Sequence, residues 1–182
     1  MKITETGFEG LLIIEPKVFS DDRGYFFESY NSKILLENNI NYSFVQDNQA
    51  KSSYGVIRGL HYQIAPYAQT KLIRVIEGEI LDIVLDIRKD SATFGKTFGI
   101  KLTSQNFNQL LVPKGFAHGY SVLSEICIVQ YKCDNFYHQK SEAGINIFDS
   151  GLNIDWKIPQ ERAIISQKDK IWPMFNQISQ FF

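Results

Sequence analysis

Few residues in this sequence can form disulfide bonds. Among 182 residues there are only two cysteines, Cys127 and Cys133. Six positions apart in one apparent strand, they would lie about 20 Å from each other, whereas a disulfide requires Cα atoms within about 7 Å. We therefore predict two free thiols in a reducing compartment, and we expect Cys127 to lie in the core.

Long apolar runs and an excess of one charge are also missing. The N-terminal run LLIIEP is far shorter than the roughly 20 residues of a membrane-spanning helix, and no apolar signal segment precedes it. The formal net charge is -1, which disfavours a nucleic-acid-binding protein, because such proteins usually carry a basic stripe. These absences predict a cytoplasmic protein that binds neither membranes nor nucleic acid.

Strand-like segments dominate what is present. Hydrophobic residues make up 44% of the chain, enough for the core of one domain spanning 1–182. One short helix fits Ser32–Asn38, with Asn31 or Ser32 as its cap. Many short strands with few helices predict a β-sandwich or barrel. We predict strands, bounded by Gly, Pro, Asn and Asp, near 11–15, 25–30, 43–48, 54–62, 70–77, 79–88, 97–103, 108–113, 117–124, 126–133 and 145–148.

The alternation of apolar and polar residues is clearest in EILDIVLDIR, at 79–88. Its apolar members share one face and its charged members the other: Leu81, Ile83, Leu85 and Ile87 against Asp82, Asp86 and Arg88. This pattern predicts an antiparallel strand that is buried on one face only. Gly78, between Glu77 and Glu79, predicts a tight hairpin just before it.

Several segments carry residue types suited to chemistry. They are DDRGYFFE (21–28), QDNQAKSSYGVIRGLHYQ (46–63), PKGFAHGY (113–120), QYKCDNFYH (130–138) and QKDK (167–170). Together and in this order they resemble the dTDP-4-dehydrorhamnose 3,5-epimerase family. The family pattern is an acidic-Arg-Gly-aromatic motif, then Q-x-N, RGLH-x-Q, P-x-G-F-A-H-G and S-x-K-D. Each motif alone is weak, but the ordered set covers about residues 10–173.

The resemblance implies both a fold and a reaction. The expected fold is all-β, a double-stranded β-helix (cupin-type jelly roll) with a few short helices. The expected assembly is a homodimer in which N-terminal residues of one subunit can contribute to the site of the other. The expected activity is the inversion of C3 and C5 of dTDP-4-dehydro-6-deoxy-D-glucose, in dTDP-L-rhamnose biosynthesis.

The expected reaction needs a base, a group that stabilises an enolate oxygen, and an acid on the opposite face of the sugar. His61 is the natural base, since imidazole titrates near neutrality. The resemblance implies that Asp169 orients His61, that Lys71 stands near the enolate oxygen, and that Tyr131 returns the proton.

The resemblance also implies a set of binding residues. Tyr137 matches an aromatic position that stacks in the nucleotide part of the site. Arginine suits a diphosphate because its planar fork donates hydrogen bonds in pairs. The other positions that match dTDP-sugar binding are Arg23, Glu28, Gln46, Asp47, Asn48, Arg58, His118, Glu142 and Lys168.

The spacing along the strands tests part of this assignment. Lys71, Ile73 and Val75 share one face of a strand, as expected of a lumen with a site at one end. Arg58 and His61 have opposite parity, so a regular strand would point them to opposite faces. A bulge at Gly59 would bring both inward, but the sequence leaves this open.

No metal site or cofactor is expected. His61 is followed by Tyr62 and Gln63, so the H-x-H pair of many metal-binding cupins is missing. A site made of His61, His118 and Asp169 is disfavoured by the charge of Lys71. The chain also has no dinucleotide-binding or P-loop motif. The open alternatives are inversion at C3 or C5 only, another nucleotide-linked 4-ketosugar, a metal-dependent cupin, and a non-catalytic sugar-nucleotide binder.

Overall fold

Fourteen β-strands and two short α-helices are formed by the part of the chain that the structure, a computed structural model, describes: residues 1–179 and 181–182. Most strands belong to two sheets that pack face to face. The first sheet contains, in spatial order, β1 (Lys2–Glu5), β2 (Leu12–Glu15), β10 (Gln109–Val112), β7 (Lys71–Glu77), β12 (Ile126–Cys133) and β5 (Gln46–Ser53). The second contains β13 (Glu142–Gly144), β6 (Val56–Gln63), β11 (Phe116–Val122), β8 (Glu79–Asp86) and β9 (Thr97–Thr103).

The remaining elements lie around this sandwich. Strand β14 (Ile164–Ile165) pairs in parallel with β6, whereas the other pairs are antiparallel. Strands β3 (Phe19–Asp21) and β4 (Gly24–Phe26) form a separate hairpin. The helices are α1 (Ser32–Glu37) and α2 (Gln167–Lys170), and single 3-10 turns occur at Gln139–Ser141, Gln160–Arg162 and Phe175–Gln177. The architecture is the all-β, cupin-type jelly roll with few short helices that the family resemblance implied.

An apolar core fills the space between the two sheets. Ile73 and Val129 from the first sheet meet Val84 and Tyr120 from the second. Ile73 and Val75 lie on the inner face of β7, so the predicted inward face of this strand is confirmed. Cys127 is also in this core, and both cysteines are buried free thiols, as predicted.

Further apolar clusters cover the outer faces of both sheets. On the second sheet, Leu85 and Ile87 pack against Trp156 and Ile178 of the C-terminal segment. On the first sheet, Leu35 of α1 is the buried residue that covers the strands. Asn31 caps α1, as predicted, by accepting hydrogen bonds from two backbone N–H groups in its first turn.

The prediction of a half-exposed strand at 79–88 is wrong. The alternation separates the two faces of β8 correctly, but Asp82 and Asp86 are both 0% exposed. Both lie on the face of β8 that carries Val84 into the core between the sheets, and each buried carboxylate needs a partner. Asp82 is bonded to His118 and Asp86 to Arg88.

The predicted hairpin at Gly78 is also wrong. Strand β7 belongs to the first sheet and β8 to the second, so Gly78 carries the chain across the sandwich. Its φ is 82°, and a Cβ there would collide with the carbonyl oxygen of Ile126. A glycine with positive φ therefore marks a sharp change of direction here, without implying that the flanking strands pair.

Most of the other predicted strands are confirmed, with shifts of a few residues at their ends, but only the first two residues of the strand predicted at 25–30 lie in β4. The segment predicted at 43–48 is displaced, since β5 begins at Gln46 and continues to Ser53. Of the strand predicted at 145–148, only Ile145 bonds to β6, through two backbone hydrogen bonds to Leu60, and the strand itself is β13, just before it. None of the helices in the described residues has the length and apolar character that crossing a membrane requires.

Candidate active site

A pocket of about 680 Å³ opens between the two sheets. A neighbouring cavity of about 140 Å³ shares part of its lining and adds Gln46 and Asn48. All four predicted catalytic residues and seven of the ten predicted binding residues line this joined space. They are His61, Asp169, Tyr131, Lys71, Gln46, Asn48, Arg58, His118, Tyr137, Glu142 and Lys168.

A bulge in β6 brings Arg58 and His61 to the same pocket. His61 stands opposite His118 and Arg58 opposite Tyr120, so two residues of β6 face one of β11. Gly59 has φ 131°, and a Cβ on it would lie 2.5 Å from the Cα of Gly119. The bulge that the sequence left open is therefore present at Gly59.

His61 is paired with a buried carboxylate. Its Nε2 lies 2.6 Å from Oδ1 of Asp169, which is 3% exposed. Ser166 caps α2 by accepting the backbone N–H of Asp169, which fixes the position of the carboxylate. Burial alone would raise the pKa of Asp169, but hydrogen bonds, chiefly that from His61, lower it overall. Since a carboxylate only accepts, the pairing places the imidazole proton on Nε2 and leaves Nδ1 as the basic nitrogen.

Lys71 and Tyr131 lie on the opposite wall, on neighbouring strands of the first sheet. The Nζ atom of Lys71 lies 6.0 Å from the centre of the Tyr131 ring. Burial lowers the pKa of Lys71, and electrostatic interactions with Cys133, Asp82 and Glu142 oppose this effect. Burial raises the pKa of Tyr131, so its hydroxyl keeps its proton at neutral pH. His61 and Tyr131, the predicted base and acid, thus lie on opposite walls of the pocket between the sheets.

Glu142 joins two other predicted binding residues. Its Oε1 lies 2.6 Å from Nζ of Lys168, and its Oε2 accepts the Tyr137 hydroxyl at 2.9 Å. Burial works against ionisation of Glu142, but the hydrogen bonds from Lys168 and Tyr137 lower its pKa overall. The side chain of Tyr137 is 52% exposed, which places its ring at the rim of the pocket.

The remaining polar groups of the joined space are also bonded to one another. Arg58 is exposed and donates from Nε and Nη2 to Oγ of Ser52, at 3.3 and 3.2 Å. Gln46 donates to Oδ1 of Asn48 at 3.0 Å, and Asn48 donates to Sγ of Cys133 at 3.6 Å. His118 is buried and bonded to both carboxylate oxygens of Asp82.

Three predicted binding residues do not line the pocket of this chain. Arg23 lies on the exposed β3–β4 hairpin, paired with Asp21 at 2.5 Å. Glu28 accepts a hydrogen bond from Asn31 at 3.0 Å. Asp47 is exposed, on the opposite face of β5 from its neighbours in the Q-x-N motif, and forms an ion pair with Lys132. Their roles stay predictions.

Sequence reasoning missed residues that support the site. Asp82 was assigned to solvent, although its parity is that of the inward-facing Val84. Gln63 is buried and binds the backbone of a neighbouring segment, and only its place in the RGLHYQ motif pointed to it. No group of three or more His, Cys, Asp or Glu residues suited to a metal is found in 1–179 and 181–182.

Comparisons with known proteins agree on one family. The family model described as dTDP-4-dehydrorhamnose 3,5-epimerase matches residues 5–177. A relative with that name from Shigella flexneri is 48% identical over 170 residues, which cover 93% of each chain. The crystal structure of the epimerase of that name from Elizabethkingia anophelis is 50% identical, with a TM-score of 0.92 and 97% of each chain covered. A Legionella pneumophila 3,5-epimerase, solved in complex with dTDP-4-keto-L-rhamnose, is 43% identical with a TM-score of 0.93, covering 97% of this chain and 94% of that one.

Proposed function

The chain belongs to the dTDP-4-dehydrorhamnose 3,5-epimerase family, and we propose that it inverts C3 and C5 of dTDP-4-dehydro-6-deoxy-D-glucose in dTDP-L-rhamnose biosynthesis. The observation that carries this proposal is the arrangement of proton-transfer groups. The His61–Asp169 pair occupies one wall of the pocket, and Tyr131 with Lys71 occupies the other. An isomerase that removes a proton on one face and returns one on the other requires such a pair of walls.

Each of the four catalytic residues has a separate role in the proposed reaction. Nδ1 of His61 takes a proton from the carbon beside the C4 ketone, and the electron pair of the broken C–H bond moves to the ketone oxygen. Asp169 stabilises the imidazolium that forms, and the ammonium of Lys71 stabilises the enolate oxygen. The Tyr131 hydroxyl then donates its proton to the same carbon from the opposite face. Solvent restores both groups, and no electrons leave the sugar, so the reaction needs no cofactor.

The rest of the pocket suits a nucleotide-linked sugar. We assign the diphosphate to Arg58, whose guanidinium is exposed beside the pocket. The ring of Tyr137 stacks on the thymine, and Gln46, Asn48, His118, Glu142 and Lys168 supply polar contacts. These assignments rest on the family resemblance and on the shared pocket lining.

Arg23 and Glu28 bind substrate only if a second copy of the chain supplies them, so the proposal includes a cytoplasmic homodimer. The exposed aromatic side chains of the β3–β4 hairpin support this assembly, since Phe19, Tyr25 and Phe26 are each more than half exposed. Asp47, the middle residue of the Q-x-N motif, then contributes to substrate binding indirectly, through its ion pair with Lys132.

Hydrogen–deuterium exchange tests the reaction directly. The purified protein is incubated with dTDP-4-keto-6-deoxyglucose in D2O, and C3 and C5 are followed by NMR. Deuterium at both carbons, with a rhamno-configured product after reduction, is the expected result. Deuterium at one carbon would replace the proposal with a mono-epimerase, and none at either carbon would contradict it.

A further inference from the structure

Residues 134–138, between β12 and the turn Gln139–Ser141, carry Tyr137 to the rim of the pocket. Three glutamine side chains bind the backbone of four consecutive residues in this segment. Gln69 donates to the carbonyl of Asn135 at 2.8 Å, and Gln46 accepts the N–H of Tyr137 at 3.1 Å. Gln63 binds the other two residues. Hydrogen bonds from side chains, and not the backbone pairing of a sheet, therefore fix this segment.

Gln63 is the buried member of the three, at 6% exposure. Its Oε1 accepts the N–H of His138 at 2.7 Å, and its Nε2 donates to the carbonyl of Phe136 at 3.4 Å. The same Nε2 donates to the carbonyl of Tyr67 at 2.8 Å. One amide group therefore fixes the residues on both sides of Tyr137 and ties them to the segment after β6.

A second layer of contacts joins the same two segments. The rings of Tyr67 and His138 stack in parallel, with centres 3.9 Å apart and an angle of 8° between their planes. The side chain of Asn135 donates to the carbonyl of Pro66 at 3.1 Å. The ring of Tyr137 itself is half exposed, and its one described hydrogen bond joins its hydroxyl to Glu142. Its position therefore depends on the backbone that carries it.

We infer that Gln63 is a positioning residue for nucleotide binding, which acts by holding residues 134–138 so that the Tyr137 ring meets the base. The inference rests on the proposed function, because it takes the stacking role of Tyr137 from there. Of the proposed proton-transfer groups, Tyr131 stands on the first sheet, and His61, although it shares β6 with Gln63, is held by its own hydrogen bond to Asp169. Loss of the Gln63 amide should therefore weaken nucleotide binding more than it slows proton transfer.

A double-mutant cycle on dTDP affinity, measured by titration calorimetry, tests this inference. Gln63→Met keeps the length of the side chain and removes its hydrogen bonds. We expect it to raise the Kd for dTDP about tenfold in the wild-type background but less than about twofold in a Tyr137→Ala background, because interacting residues are not additive. The exchange rate at saturating substrate should stay within about threefold of wild type.

Two further variants complete the design. Gln69→Met removes a single hydrogen bond, made by a less buried side chain. It should raise the Kd for dTDP by a smaller factor, and this increase should also disappear in the Tyr137→Ala background. This variant replaces Gln63→Met in the test if Gln63→Met does not fold. Gln49→Met, on the exposed face of β5, is the matched control and should leave affinity unchanged.

Three results would overturn the inference. The first is an equal loss of affinity in both backgrounds, since Gln63 would then act independently of Tyr137. The second is a lower saturating rate with unchanged affinity, which would place the effect on His61. The third is a Tyr137→Ala variant that binds dTDP normally, which removes the stacking role as well. The proposed reaction is tested separately, since wild-type exchange at C3 and C5 does not depend on any of these variants.

Discussion

His118 and Asp82 form a second imidazole–carboxylate pair inside the pocket wall, with Nε2 of the histidine 3.0 and 2.9 Å from the two carboxylate oxygens. Both side chains are buried. His118 lines the pocket together with His61, whereas Asp82 lies behind it. The negative charge of Asp82 also acts on Lys71, since it opposes the lowering of the Lys71 pKa by burial.

The fall of the exchange rate at alkaline pH should reflect the loss of the Lys71 proton. Burial lowers the Lys71 pKa and raises the Tyr131 pKa, so the loss of the Lys71 proton moves to lower pH and that of the Tyr131 proton to higher pH. Asp82→Asn removes a charge that raises the Lys71 pKa, and so should move this fall to lower pH. Exchange rates measured across alkaline pH check this, with Asp90→Asn, at an exposed aspartate outside the pocket, as control. An unchanged fall in Asp82→Asn would contradict the coupling.

Changes to the His61–Asp169 pair should affect proton removal without affecting affinity. His61→Ala should abolish exchange at both carbons, and Asp169→Asn should slow it by about 100-fold or more, because an amide does not stabilise the imidazolium. Affinity for dTDP should stay close to wild type in both. Substantial exchange by correctly folded His61→Ala would remove His61 from its role as base.

Tyr131→Phe should separate the two halves of the reaction. Without the hydroxyl, His61 still removes the proton and returns deuterium to the same face, so exchange should outlast inversion. The ratio of exchange to epimerised product, read by NMR, should rise about tenfold or more. Equal losses of exchange and inversion would argue against an acid that acts on one face only.

The buried Asp86 should make stability depend on pH. Its carboxylate accepts hydrogen bonds from Arg88, Ser91 and Thr93, which outweigh the opposing effect of burial and lower its pKa from 3.8 to about 2. Between these values the unfolded chain binds more protons, so the stabilisation of about 2 kcal/mol is complete at neutral pH and is lost as the pH falls towards 2. Asp86→Asn should therefore be less stable than wild type at pH 7, with a difference that narrows in acid. Urea unfolding at several pH values checks this, and a constant difference would contradict it.

The sequence predicted which side chains of a strand share a face better than what covers each face. The period-two pattern in β7 identified side chains that share a face, and Ile73 and Val75 of this face do lie in the core. A pattern within one strand does not show what covers its polar side. For that reason Asp82 and Asp86 were assigned to solvent, although both are fully buried.

The spacing of the motifs predicted most, but not all, of the residues that line the pocket. It brought eleven of the fourteen predicted site residues to one joined pocket, because the ordered motifs fall on strands whose inner faces meet. It did not separate Asp47 from Gln46 and Asn48, although adjacent residues of a strand point in opposite directions. The supporting role of Gln63 depends on a segment more than 70 positions away, and no local pattern encodes that contact.

The apolar core between the sheets also determines the distance between the proposed base and the proposed acid. His61 is carried by one sheet and Tyr131 by the other, and the residues between those sheets include Ile73, Val84 and Val129. Because protein interiors are close-packed, changing the volume of such a residue changes the separation of the sheets that it touches. A methylene group added or removed deep in this core is thus a change in the width of the slot into which the sugar ring must fit.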